Sequence, residues 1–196
     1  MNKTEYFKEE IERIKTDRLK TDCSYLVEKI PHYFFEIGAS SSGKYHPQYA
    51  LGEGGLLRHT KAAIFFLHTY LEHPLVENDF SDEEKDLMTI ALLLHDAFKR
   101  GYQEEAHTAF EHPVLAANFI EDEKDNLSFS EDERALVKQL ISSHMGPWNK
   151  NKDKEDENHL PIPRTKMEKL VHFCDYFASR KQIEVLFDEN DKILIK

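Results

Sequence analysis

Residues 81–100 read SDEEKDLMTIALLLHDAFKR, and this stretch decides the fold. Ser81 with Glu84 three positions on makes a capping box, Leu87 and the run Ile90, Ala91, Leu92, Leu93, Leu94 fill the middle, and Gly101 is placed to stop the element. The spacing therefore predicts one helix over 81–100. Its apolar run ends in His95 and Asp96. An imidazole and a carboxylate side by side in a buried helix are costly unless paired or bound to a cation, and a metal ion satisfies both.

The chain has 196 residues, enough for one domain with a sizeable core. No apolar run approaches the length of a membrane span, and the polar start MNKTEYFKEE does not resemble a signal peptide, so the expectation is a soluble, cytoplasmic protein without membrane partners. Cys23 and Cys174, far apart and outside any CxxC, read as reduced thiols in a core. With 37 acidic against 26 basic residues the net charge is −11, which excludes a broad electrostatic grip on duplex DNA. A small phosphorylated molecule or a short single strand held locally stays open. Eleven histidines require an explanation.

Outward from the central helix, the same period recurs. Residues 1–30 read as helical, with Tyr6, Phe7, Ile11, Ile14, Leu19, Tyr25, Leu26 and Ile30 at mixed three and four spacing, up to Pro31 and an aromatic cluster at 32–35. Residues 38–55, GASSSGKYHPQYALGEGG, form a long loop, read as substrate-side because Lys44, Tyr45 and His46 lie in it. A helix from Leu56 to Glu72 places Leu56, His59, Ala63, Phe66, Leu67 and Tyr70 near one face, turning His59 inward. His68 and His73, towards its end, read as solvated or dipole-facing. The connection 101–109 carries His107, and His112 caps a helix whose first position is Pro113. Ser130 with Glu133 opens a helix to His144, with Ala135, Leu136, Leu140 and Ile141 inward. A second long loop, 147–164, has a charged centre that reads as a solvated insertion. Thr165 with Glu168 then caps a helix that turns Met167, Leu170, Val171, Cys174, Asp175 and Ala178 to one stripe. The tail 182–196 reads as a hairpin or as a helix end followed by a strand. The fold class is all α.

The inward or cap-placed residues competent for metal are His59, His95, Asp96, His112, His144 and Asp175, each at a different helix or helix end apart from the adjacent His95 and Asp96. Four imidazoles and two carboxylates exceed one closed tetrahedral zinc site and suit two adjacent divalent ions, with Asp96 as the bridge. The donor set suits Mn, Fe, Co, Ni or Zn better than Mg.

The ordered set GEGGLLRHT, LLLHDAFK, EHPVLAA, ISSHMG and KLVHFCDYFASRK resembles the HD-domain metal-dependent phosphohydrolase superfamily over residues 54–181. Within it, GGLLRHT and ISSHMG are most similar to the HD domain of bacterial 3′-to-5′ exoribonucleases. Residues 1–53 are then a helical extension packing on the HD domain, and 182–196 a tail. Two departures stand out: HDAFK replaces the frequent HDIGK, and Met145 follows His144 where many relatives have paired histidines.

The resemblance implies a helical bundle around the site and phosphoester hydrolysis by a metal-activated hydroxide, with Asp96 and Lys99 in catalysis. Lys99 is either a phosphate partner or a cation at the helix end. Lys44 and His46 are candidates to grip phosphate. His107 is a candidate proton donor to the leaving oxygen, or a surface histidine. Trp148 stacks on a base or sugar, or lies over an apolar patch. The expected substrate is a nucleotide or a short single-stranded nucleic acid. The same ligands also fit HD-fold di-iron oxygenases or a nucleotide-binding module without turnover.

Overall fold

The computed structural model describes residues 2–40, 43–150 and 159–195. Among these, seven α-helices follow in order: α1 (Lys8–Glu12), α2 (Asp17–Lys29), α3 (Gly55–Leu71), α4 (Asp82–Leu94), α5 (His112–Asp122), α6 (Glu131–Ser142) and α7 (Lys166–Ala178). Short 3₁₀ turns lie at Lys3–Phe7, His32–Phe35, Gln48–Ala50 and Lys124–Asn126. The only extended pairings among the described residues are two isolated bridges, Lys150 with His159 and Phe187 with Ile193. The fold is all α, and no helix of the described residues is long and apolar enough to cross a membrane.

All three capping boxes form. Ser81, Ser130 and Thr165 accept from the backbone N–H of Glu84, Glu133 and Glu168, whose carboxylates accept from the cap N–H groups in return. These local signals start α4, α6 and α7; packing then builds the bundle. α3 lies against α4 and α7, and α6 against α4 and α5. Apart from the site residues, α4 is almost wholly apolar at its C-terminal half because it runs through the centre, with Ile90 to Leu94 all buried.

One continuous core holds the N-terminal segment, the bundle and the start of the tail together, from Phe7 and Phe34 through Leu92 to Val185. Buried carboxylates pin the segment. Asp86 of α4 accepts from the backbone N–H of Lys15 (3.0 Å) and Thr16 (2.9 Å). Asp22 of α2 accepts from the N–H (2.8 Å) and hydroxyl (2.7 Å) of Ser128.

The structure departs from the sequence reading at several points. Residues 1–30 are not one helical run, since α1 and α2 are separated at 13–16, where Asp86 takes the free N–H groups. α4 stops at Leu94, six residues before Arg100. Beyond it Ala97, Lys99 and Gly101 donate three residues back, and the His95 ring engages the Leu92 carbonyl that an α-turn would offer to Asp96. His95 and Asp96 therefore sit in a tight turn. Tyr70 is exposed at the frayed end of α3, and Ala135 is exposed while Val137 fills the inward place on α6. His68 is half-buried against the Thr89 hydroxyl (3.3 Å), not solvated. The tail forms a hairpin-like turn in which Asp188 N–H donates to Lys192 O. The charged centre of the second loop, 151–158, lies outside the described residues.

Candidate metal centre

The loop 43–54 is tied down by Arg58 of α3, which donates to the carbonyls of Tyr49, Leu51 and Glu53 and pairs with Asp191 of the tail (2.8 Å). Gly55 lets the loop approach. A Cβ there would stand 2.4 Å from the Ala50 carbonyl oxygen, so only glycine permits α3 to begin against this backbone. One turn later His59 points into the bundle, 1% exposed.

α3, the turn after α4, the start of α5, the turn after α6 and the last turns of α7 deliver His59, His95 with Asp96, His112, His144 and Asp175 to one point. The two oxygens of Asp96 face different ways. Oδ2 lies 3.5 Å from His95 Nε2 and 3.8 Å from His59 Nε2, and Asp175 Oδ1 closes that side at 3.0 Å from His59 and 3.5 Å from His95. Oδ1 lies 3.0 Å from His112 Nε2 and 3.7 Å from His144 Nε2, two nitrogens that are themselves 3.4 Å apart. Donor atoms of His59, His95 and Asp175, and again of His95, Asp96 and His144, fall within 4.8 Å of one another.

The histidines are aimed by their other nitrogens. Nδ1 of His95, His112 and His144 each meets the carbonyl three residues earlier, Leu92, Ala109 and Ile141. A carbonyl only accepts, so each Nδ1 carries the proton and Nε2 turns a lone pair towards the carboxylates. Lone pairs facing carboxylate oxygens in a buried space repel unless a cation lies between them. His95 Nε2 and Asp96 Oδ1 are buried without a hydrogen bond. This donor set fits divalent metal.

The local charges agree. Burial pushes the Asp96 carboxyl up, but Lys99, His95 and His112 outweigh it and hold the group well below the usual carboxylate range. Asp175, pushed up by burial in the same way, is held well below by His59 and His95. Burial, with His95 next, pushes His144 down to about 3, keeping its ring neutral. His95 goes the other way: burial lowers it and Asp96 and Asp175 more than compensate, so that side holds positive charge beside the carboxylates, as a proton on Nε2 or as a cation in its place.

Beside this cluster opens a cavity of about 440 Å³ whose wall includes His46, Lys99, Met145, Trp148, Tyr176 and Arg180. Lys99 Nζ donates to Asp96 Oδ2, so its ammonium stands at the carboxylate and lines the opening. His46 packs its ring 5.6 Å from that of His59, with Nδ1 buried and unpartnered. Burial, then His59 and Lys99, pushes it down to about 3. Lys44 is exposed, with its ammonium 5.0 Å from the Tyr45 ring centroid. Trp148 stacks on Tyr176 at 5.5 Å and 7° between planes, so the lid it forms is aromatic. His107 is not brought in. It stands on the exposed connection 102–108, which leaves the bundle after Gly101, and it does not line the cavity.

Three residues escaped the sequence reading. His172 donates from Nδ1 to the His144 carbonyl (2.7 Å), Tyr176 stacks under Trp148, and Arg180 lies 4.4 Å over the Tyr176 ring. His172 and Tyr176, four apart, share one face of α7 beside Asp175, and Arg180 follows four further on just past the helix end; that period is the available signal. Gly146 completes the support: at φ 58 and with an added Cβ 2.3 Å from the His172 ring, no other residue fits there.

A family model described as HD domain matches residues 56–180. No curated protein and no solved structure matches the chain.

Proposed function

The chain belongs to the HD-domain family, and on that premise we propose that it is a metal-dependent phosphohydrolase or phosphodiesterase acting on a nucleotide or a short single-stranded nucleic acid. One observation carries the reading: the two oxygens of Asp96 face different histidines of one cluster, beside a cavity walled by cations and aromatic rings. His59, His95, Asp175 and one Asp96 oxygen would hold one divalent ion; His112, His144 and the other Asp96 oxygen would hold a second. Such ions, when bound, supply Lewis acidity towards a phosphoryl oxygen and a lowered pKa for water.

The chain's own groups do the remainder. Lys99, fixed by Asp96, presents positive charge where equatorial phosphoryl oxygens gain negative charge. His46, neutral and buried on one side, offers a ring nitrogen to a phosphate hydroxyl or to water. Arg180, braced on Tyr176 and donating to the Ser179 hydroxyl (2.9 Å), adds a second cation further out. Trp148 and Tyr176 offer flat apolar surface to a base. Residues 54–181 carry this chemistry, with 1–53 and 182–196 bracing the loop side. The likeness to the HD domain of 3′-to-5′ exoribonucleases rests on GGLLRHT and ISSHMG. A cytoplasmic setting accords with Cys23 and Cys174, both buried and unpaired.

The test is purified protein loaded with Mn or Fe, assayed against nucleotides and short oligonucleotides for ester cleavage while an oxygen electrode records uptake. Cleavage that disappears in Asp96→Ala is the expected result. Substrate-dependent oxygen uptake without cleavage would make the protein an HD-fold di-iron oxygenase instead. Ligand-induced stabilisation with no product would make it a binding module. A single bound ion would shift the reading to a mononuclear nucleotidase in which His112 and His144 hold substrate.

A further inference from the structure

The surface of α7 continues the cavity wall outward. Phe173 and Phe177 are 49% and 38% exposed and stacked, with centroids 6.1 Å and planes 20° apart. Phe177 also meets Tyr176 edge-on at 6.0 Å, and Tyr176 carries Trp148, so a chain of rings leads from the metal cluster to open surface. At its far end lies a hollow of about 410 Å³ whose lining includes Tyr70, Phe80, Lys166, Lys169 and Phe173 together with one acid, Asp79.

Charge follows the rings. Lys166 and Lys169 are exposed at the start of α7, and Arg180 and Lys181 stand at its end. The helix's two acids are withdrawn, Glu168 buried in its capping box and Asp175 turned to the histidines. In a chain of net charge −11, the outward charge of this one helix is wholly positive. Lys166 to Ala178 spans about 18 Å of helix axis, with Arg180 and Lys181 just past its end. Stacked rings with cations at both ends suit successive unpaired bases on a phosphate backbone, and they suit neither a duplex, whose bases are hidden, nor a lone nucleotide, which is too short.

We propose that the exposed face of α7 is a track for single-stranded nucleic acid: one end of the strand enters the cavity beside Asp96, and the following bases stack on Tyr176, Phe177 and Phe173 towards Lys169 and Lys166. This rests on the phosphoester reading for its polarity towards the cluster, but the binding surface is tested separately.

The experiment is fluorescence anisotropy with the full chain and labelled oligouridylate and oligothymidylate of nine nucleotides, competed by trimers and by UMP. The nine-mers should bind at least tenfold more tightly than the trimers, with ribose or deoxyribose preference read from the two series. A Phe173→Ala/Phe177→Ala double variant should lose tenfold or more for the nine-mers, and Lys166→Gln/Lys169→Gln should flatten the dependence on salt. Both pairs are exposed, and melting temperature verifies folding. Equal affinity for all lengths, or nine-mer binding unchanged in the double variant, would overturn the track. So would concentration-dependent self-association of the wild type, by sedimentation, that the phenylalanine variant abolishes, since the face would then serve a second copy. Hydrolysis of bis(p-nitrophenyl) phosphate by the wild type, with no length dependence in binding, would sink the track while leaving the phosphoesterase reading intact.

Discussion

Replacing Asp175 by Asn and, separately, His144 by Gln should remove different ions. Asp175 Oδ1 lies 3.0 Å from His59 Nε2 and 3.5 Å from His95 Nε2, whereas His144 Nε2 lies 3.7 Å from the Asp96 oxygen that faces away from that pair and 3.4 Å from His112 Nε2. A ligand that binds only the folded state at a hundred times its Kd stabilises by about 2.7 kcal/mol. At this chain length about 1 kcal/mol moves Tm by about 2–4 °C, so each ion should raise it by about 5–11 °C. Losing a direct ligand should cost that ion at least the roughly 10–100-fold seen when a ligand's supporting partner is removed. The assay is metal content after equilibrium dialysis against Mn, paired with Tm across a Mn titration. Wild type should hold two ions and show both increments, each single variant should keep one, and Asp96→Asn should weaken both, because an amide offers one acceptor oxygen where the carboxylate offers two. If Asp175→Asn and His144→Gln abolish the same single increment, Asp96 does not divide two sites and the two-ion geometry is wrong.

Other perturbations probe the scaffold. Gly146→Ala forces a left-handed φ on alanine and drives its Cβ into His172; a loss of about 2–4 kcal/mol is expected in urea denaturation, with weakened Mn binding because His172 no longer holds the His144 carbonyl. Wild-type stability here would mean the 144–146 turn has another arrangement. Asp86→Ala strips the acceptor from two backbone N–H groups and should cost about 2–4 kcal/mol, with Asp86→Asn losing less; equal losses would show that charge rather than acceptor number matters. His68 is pushed down to about 4 by burial and then by Arg13. A folded-state value below the unfolded one means its stabilisation is complete above about 6.5 and is lost as pH falls towards 4, where the unfolded chain takes up the proton first. His68→Gln should therefore lose less stability than wild type between pH 6.5 and 4, measured by denaturation midpoints; parallel pH profiles would refute it.

The local architecture was legible in the residues themselves. Capping boxes at Ser81, Ser130 and Thr165 act within four residues, and the three and four spacing of apolar side chains assigns a face to each helix, so an all-α fold follows from short-range chemistry. The same logic singled out His59, His95, Asp96, His112, His144 and Asp175, because polar groups on apolar stripes need partners. Short-range signals have limits, as at Ala135 and Tyr70, where a helical stripe drifts out of the core, and at Arg100, where α4 was read six residues too long.

Only the tertiary structure decided the rest. Whether six side chains delivered by α3, α5, α7 and the turns after α4 and α6 converge depends on how those helices cross, and periodicity along one helix carries no information about its neighbour. Asp96 sits in the turn that follows α4 at Leu94, and its two oxygens face two different histidine pairs. His107 and His46 illustrate the point: each is a lone histidine in a loop, yet packing leaves one on the surface and brings the other against His59, because loop direction is set by contacts such as Arg58 with 49–53 that lie outside the loop's own chemistry.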